Sequence, residues 1–225
     1  MIFLNLNKKM MILIIAGIPV FGVAAYFTFN FLSNSIVEYL LVNKPAAQAE
    51  VLIVEGWLYE FEQLVPSVSN EFKNGDYKYI LISGKSYEAV SQFSGNDTVD
   101  SPSSNLAALL MKNGIDPSAI KIVEVFEVNE HKTFSMARAA KKWLLAHDPS
   151  VKSVNVCSAG AHGRKTWCAY KRMLGNGINV GVLSFTTGGP LPNKWLERRC
   201  GTKWLTYTLA GYLYAKFWPL SFIPD

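Results

Sequence analysis

The sequence predicts an α/β domain, a three-layer αβα Rossmann-like parallel sheet of about five strands, preceded by one transmembrane helix. Three observations predict it. The 23 residues from Met10 to Leu32 carry no charge. Short β-branched runs then alternate with stretches of helical period. Each β-branched run ends in glycine or polar residues, as buried parallel strands joined by helical crossovers do.

The anchor comes first in the chain. MMILIIAGIPVFGVAAYFTFNFL exceeds the roughly 20 apolar residues that a spanning helix needs. A cleaved signal peptide has a shorter apolar region and a small-x-small exit, whereas this run continues through Tyr26, Phe27, Phe29 and Phe31. Lys8 and Lys9 precede the span and no acidic residue does, so the positive-inside rule keeps the N-terminus in the cytoplasm. The expected organisation is a cytoplasmic tail at 1–9, an anchor at 10–32, a linker at 33–49 and an extracytoplasmic domain at 50–225.

Strands are expected at Val51–Val54, Tyr79–Ile82, Ile120–Val123, Val154–Val156 and Ile178–Leu183. Helices between them include one carrying Met136, Ala140, Trp143 and Leu144, and one carrying Trp167, Tyr170 and Leu174. The second is closed by Gly175, with Lys171 and Arg172 in its final turn. The stretch from Ser86 to Ser104 has little hydrophobic period and is long for a connection, which suits either a lid or disorder. Trp204 to Phe222 is rich in aromatic residues, but its uncharged run between Lys203 and Lys216 is 12 residues, too short to span. It packs on the sheet or lies at the membrane interface.

Composition narrows the class. A chain of 225 residues, 50% hydrophobic and 17% charged, holds one ordinary domain and is neither a disordered tail nor a repeat protein. The net charge is +5, and without Lys8 and Lys9 it is +3, with no basic cluster that would suit nucleic acid. Cys157, Cys168 and Cys200 are odd in number, so at least one thiol is unpaired; a Cys168–Cys200 bridge and buried small hydrophobes both remain open. No zinc-like spacing occurs, and neither a metal nor a cofactor is expected.

In an open parallel sheet, ligands bind beyond the carboxyl ends of the strands. The loops leaving those ends carry Glu55-Gly56-Trp57, then Ser83-Gly84-Lys85-Ser86, then Glu130-His131-Lys132-Thr133 with Ser135 close behind, then Ser158 to Lys165. A carboxylate, two imidazoles, hydroxyls and several cations would converge on one edge. His147, at an expected helix end, reads as a solvated cap. The fourth loop is an anion site by its geometry, because a turn through Gly160 into a helix presents free backbone N–H groups. His162, Arg164 and Lys165 add cations where a cation ordinarily costs about 0.3–1 kcal/mol. An anionic partner would reverse that sign; the alternative is that the cations point into water.

Three familiar motifs fail. Ser83-Gly84-Lys85-Ser86 resembles the end of a phosphate-binding P-loop, but Tyr79 stands where that motif needs glycine. No GxGxxG follows a strand, and no GxSxG elbow exists. Cys157 is either a thiolate beside His162 and Arg164 or plain strand core.

Four motifs in order, each after its strand, resemble the YdcF/SanA/ElyC-like family of bacterial envelope proteins. They are Val51-Leu52-Ile53-Val54-Glu55-Gly56-Trp57-Leu58, Leu81-Ile82-Ser83-Gly84, Lys132-Thr133-Phe134-Ser135-Met136-Ala137 and Ala161-His162-Gly163-Arg164-Lys165, and the likeness covers roughly Glu50 to Phe185. The branch with this first motif tends to carry Arg-Thr in the third and His-x-Arg-Arg in the fourth. Here Lys132 and Lys165 keep the charge but lack the planar fork that grips a phosphate or carboxylate. The resemblance implies an α/β domain held in the bacterial cytoplasmic membrane and linked to envelope integrity, with no particular reaction.

Two functional classes follow. The first is an enzyme acting on an anionic, phosphate-bearing envelope or lipid-linked glycan substrate. Glu55, His131 and His162 are its candidate acid–base residues; Gly56, Ser83, Gly84, Lys85, Lys132, Thr133, Ser135, Ser158, Gly160, Arg164 and Lys165 are its candidate binding residues. The second is a sensor or scaffold that organises envelope-biogenesis proteins. In both, the lipid bilayer is a partner.

Overall fold

Each β-branched run forms a strand, and all the strands are parallel. The computed structural model describes residues 8–56, 61–85, 101–125, 132–185 and 201–220. Strands β1 (Val51–Gly56), β2 (Tyr79–Lys85), β3 (Ile120–Val125), β4 (Ser153–Ala159) and β5 (Asn179–Phe185) form one sheet in the order β3-β2-β1-β4-β5. After β1 the chain builds outward through β2 and β3, then returns to the other side of β1. The strand order therefore reverses between β1 and β4, where doubly wound sheets open a crevice for a ligand.

Alternate side chains divide the sheet into two dry faces. Leu52, Val54, Ile80 and Ile82 pack against α2 (Phe61–Asn74) and α3 (Pro102–Lys112). Val51, Ile53, Leu81, Val154 and Val156 pack against α4 (Lys132–His147) and α5 (Gly163–Leu174). The helical spacing of Met136, Ala140 and Leu144 is the buried stripe of α4, and Gly175, at φ 75°, ends α5. His147 closes α4 as an exposed cap, stacked on Trp143 and within 3.0 Å of its carbonyl oxygen.

The stretch expected to be unpatterned up to Ser104 is helical by Pro102. Ser101 Oγ accepts the Ser104 N–H at 3.1 Å and Pro102 takes the first helical position, so Ser-Pro-Ser-Ser is a helix start. Residues 86–100 lie outside the described residues.

Helix α1 (Lys8–Leu40) contains the span, and its Gly17–Leu40 portion is long and apolar enough to cross a membrane, with mean hydropathy 1.4 and 11% buried. Its residues 17–29 are all exposed, and contact with the domain begins at 30–33. Here the structure corrects the expected linker at 33–49. Val37 and Leu40 are buried against Ala161 on one side and against Leu205 and Tyr212 of α6 (Gly201–Phe217) on the other. Ile36, Val37 and Leu40 continue the helical spacing to the end of α1. The chain then runs back along the sheet: Lys44 exchanges hydrogen bonds of 2.9 Å with Val182, and Ala46 N–H donates to Asn155 Oδ1 at 2.8 Å.

The aromatic C-terminal segment also differs from its default expectation. α6 packs on α5 and the end of α1 rather than on the sheet, burying Leu205, Thr208, Tyr212 and Ala215.

Candidate functional site

Four strands change character at one level of the sheet. Residues two apart on a strand share a face, and along the face covered by α4 and α5 the aliphatic residues give way to polar ones. Ile53 is followed by Glu55, Leu81 by Ser83, Val156 by Ser158 and Val182 by Ser184. The register aligns them: Glu55 pairs with Ser83, Ser158 pairs with Ser184, and Val54 pairs with Cys157, one step before Glu55 and Ser158. A polar row thus crosses the carboxyl edge and straddles the switch point. Ser83 Oγ donates to the Met136 carbonyl at 2.9 Å, Ser158 Oγ to Thr166 Oγ1 at 3.3 Å, and Ser184 Oγ to the Val42 carbonyl at 2.5 Å.

Glu55 is the exception in this satisfied row. It is 8% exposed, and its Oε1 has no hydrogen-bond partner among the described residues. Burial pushes its carboxyl up to about 7, although the Lys165 charge and the Tyr170 hydroxyl both favour the carboxylate. Tyr170, on α5, is fully buried with its hydroxyl facing Glu55 and Ser83; the approach is close, without a well-aligned hydrogen bond. Burial, and next the Glu55 charge, hold the Tyr170 hydroxyl protonated. A carboxyl half-protonated near neutral pH can either give or accept a proton.

The fourth loop takes the expected strand–turn–helix path. β4 exits through a short 3-10 turn, Gly160–His162, with Gly160 at φ 47°, and α5 begins at Gly163. Only glycine fits at 163, because a Cβ would stand 1.9 Å from Ser184 Oγ and 3.1 Å from the Val42 carbonyl. His162 is half-buried, its ring edge-on to Trp204 at 6.2 Å. Burial, and then Lys165, lower its pKa to about 4, so the imidazole is neutral at neutral pH.

Arg164 resolves part of the charge conflict within the chain itself. Its Nε donates to the Tyr39 carbonyl oxygen and its guanidinium lies 3.9 Å from the centre of the Tyr39 ring. Tyr39 is in the last turn of α1, where a cation is favourable. The cation that sits unfavourably at the start of α5 thereby caps the end of α1.

Lys165 turns the other way, along α6: a Cβ on Gly211 would come within 3.2 Å of its Cδ. It borders a groove of about 520 Å³ between the start of α4 and one side of α6, lined by Lys132, Thr133, Phe134, Lys165, Tyr207, Ala210, Gly211, Tyr214 and Ala215.

The expected site residues therefore fall into separate groups. Glu55, Ser83 and Ser158 share the polar row, with the Gly56–Gly84 pair next along the strands. Lys132, Thr133 and Lys165 meet at the groove, which neither Glu55 nor His162 lines. Lys165 links the groups, since its charge reaches both Glu55 and His162. Ser135 is half-buried on α4. Lys85 ends β2, its side chain outside the described residues, as is His131. Cys157 is a fully buried free thiol whose pKa is raised by burial, which fits strand core rather than a thiolate; Cys168 is also free, and Cys200 lies outside the described residues.

Sequence reasoning missed Tyr170, Ser184 and the α6 wall. Tyr170 was legible only as part of a buried stripe, and its hydroxyl matters because Glu55 lies opposite. Among the described residues no three His, Cys, Asp or Glu side chains come together as a metal site. Compared with known proteins, the chain matches no family model, no curated protein and no solved structure.

Proposed function

We propose that this chain is a bacterial envelope protein, anchored in the cytoplasmic membrane by α1 with its N-terminus inside, that acts on an anionic, phosphate-bearing envelope substrate. The observation that carries the reading is Glu55: a buried carboxyl with an unpartnered oxygen and a pKa of about 7, at the switch point of the sheet. Groups with this combination of burial and titration near neutrality cluster at active sites. Glu55 is the proton-transfer residue, Lys165 and Lys132 attract the anion, and His162 serves as a neutral group near Lys165. The apolar span behind Lys8 and Lys9 supports the orientation, and the likeness of four ordered motifs to YdcF-like envelope proteins supports the compartment.

The test is complementation in cells lacking the protein, scored as exclusion of antibiotics and detergents. Glu55→Gln, present in the membrane at wild-type amounts, should fail to restore the barrier. Full restoration by Glu55→Gln would remove the acid–base role and leave the scaffold reading as the better one.

A further inference from the structure

We propose that the groove between α4 and α6 binds a phosphomonoester lipid drawn from the bilayer that holds α1. The inference rests on the functional reading above and names its substrate class. The shape and lining of the groove come first. At about 520 Å³ it is in the range of small-molecule sites, and such sites pair apolar walls with a few polar groups that fix orientation. Phe134, Ala210, Gly211, Tyr214 and Ala215 give it apolar walls. Lys132 and Lys165 add two cations, each in the first turn of a helix that starts at the carboxyl edge, where backbone N–H groups also favour an anion. A soluble sugar phosphate would use the cations and leave the walls unmatched. A lipid phosphate matches both.

The path of α1 supplies the second argument. It meets the domain at the carboxyl edge, where Arg164 holds Tyr39 and where Val37 and Leu40 pack on Ala161. From there the chain retreats toward the amino edge, through Val42 at Ser184, Lys44 at Val182 and Ala46 at Asn155. Groove and membrane anchor thus share one edge of the sheet. No spacer separates the apolar stretch Gly17–Leu40 from the domain, since contact with the domain begins at 30–33.

The third argument is continuity of apolar surface. α6 forms one wall of the groove, and its Tyr212 meets Tyr39 of α1 hydroxyl to hydroxyl at 2.8 Å. Tyr207, on the groove wall, is 68% exposed, and Leu213 and Phe217, farther along α6, are 45% and 66% exposed. An apolar chain in the groove lies along the stretch of α6 whose Leu205 and Tyr212 pack against Val37, Tyr39 and Leu40 of α1.

The experiment uses the full chain in mixed micelles of detergent with equimolar dioleoyl phosphatidic acid and dioleoyl phosphatidylcholine, with bound lipid counted by native mass spectrometry. Phosphatidic acid should be retained over phosphatidylcholine by about tenfold or more, as expected for charge-assisted contacts to a phosphate. Lys132→Gln with Lys165→Gln should bring the ratio close to one. Ala210→Trp, at an exposed position of α6, fills the groove without altering charge and should lower retention as far. Excess glycerol 3-phosphate should not compete. Equal retention of the two lipids by the wild type, or indifference to both the lysine and Ala210 variants, overturns the proposal. Competition by glycerol 3-phosphate overturns it in favour of a soluble phosphate ligand. Glu55→Gln should retain phosphatidic acid normally, so loss of lipid selectivity and loss of the acid–base role are read separately.

Discussion

Arg164 binds Tyr39: its Nε donates to the Tyr39 carbonyl while its guanidinium lies over the Tyr39 ring. One side chain thus couples the start of a helix beside the candidate site to the end of the long apolar helix α1.

Arg164→Ala should therefore loosen α1 from the domain. Loss of the cation–π contact and of the helix-end charge should cost about 1–2 kcal/mol. Proteolysis between Leu40 and Val51 should quicken, and Arg164→Lys, which lacks the planar group, should recover only part of the loss. Wild-type melting and cleavage in Arg164→Ala would show that the contact does not hold the junction.

Glu55 should make the fold less stable as pH rises. Its carboxyl titrates at 4.5 when unfolded and at about 7 when folded, so the folded state binds the proton more tightly. That contribution is fully present below pH 4.5 and is lost as pH rises through 7; keeping the carboxylate buried above that costs up to about 3 kcal/mol. Glu55→Gln should raise the melting temperature of the detergent-solubilised chain at pH 8 and change little at pH 4.5. A uniform shift at both pH values would argue against a raised carboxyl.

His162 acts in the opposite sense. Its pKa falls from 6.5 unfolded to about 4 folded, so its contribution is present above pH 6.5 and is lost as pH falls through 4. Between about pH 4.5 and 6.5 the two slopes oppose each other, and the wild-type melting temperature should be nearly flat there. His162→Gln should expose the falling slope of Glu55 alone. If His162→Gln leaves the profile flat, one of the two assignments is wrong.

Tyr170→Phe should push Glu55 higher still, because the Tyr170 hydroxyl favours the carboxylate. Carboxyl carbon shifts, followed by NMR against pH, measure it directly. A downward move of the Glu55 midpoint would contradict the placement of the two groups.

Gly163→Ala should destabilise the domain by about 1–3 kcal/mol through overpacking against Ser184 and the Val42 carbonyl. Adding Ser184→Gly removes the nearer obstacle and should restore part of the loss. No recovery in the double variant would place the strain elsewhere.

The sheet was legible because its central strands β1 and β2 are apolar on both faces and their β-branched runs give way to Glu55 and Ser83, so those runs and their exits could be read directly. Glu55, Ser83 and Ser158 were legible as a group for the same reason, since strand order brings strand ends together whatever the intervening sequence. Arg164 was not. Its spacing shows a cation at a helix start, but the partner that satisfies it is a backbone carbonyl 125 residues away, at the end of an apparently separate anchor. The segment 33–49 was misread because Asn34, Ser35, Asn43 and Lys44 look like linker, while its pairing to Val182 uses backbone groups that every residue carries. The groove was hidden too, since one of its walls comes from α6, whose residues carry no motif, although Lys132, Thr133, Phe134 and Lys165 opposite it do.

The return of the chain along β5 has a mechanical consequence. β3 and β5 are the two edge strands, and an uncovered edge invites pairing with another chain. The Lys44 bridge occupies the middle of β5 at Val182. Tension along α1 reaches this backbone bridge once the Arg164–Tyr39 contact and the packing of Val37 and Leu40 give way. Peeling the tether away would uncover the template for self-association that it blocks, so the connection to the long apolar helix and the guard against aggregation are one segment of chain.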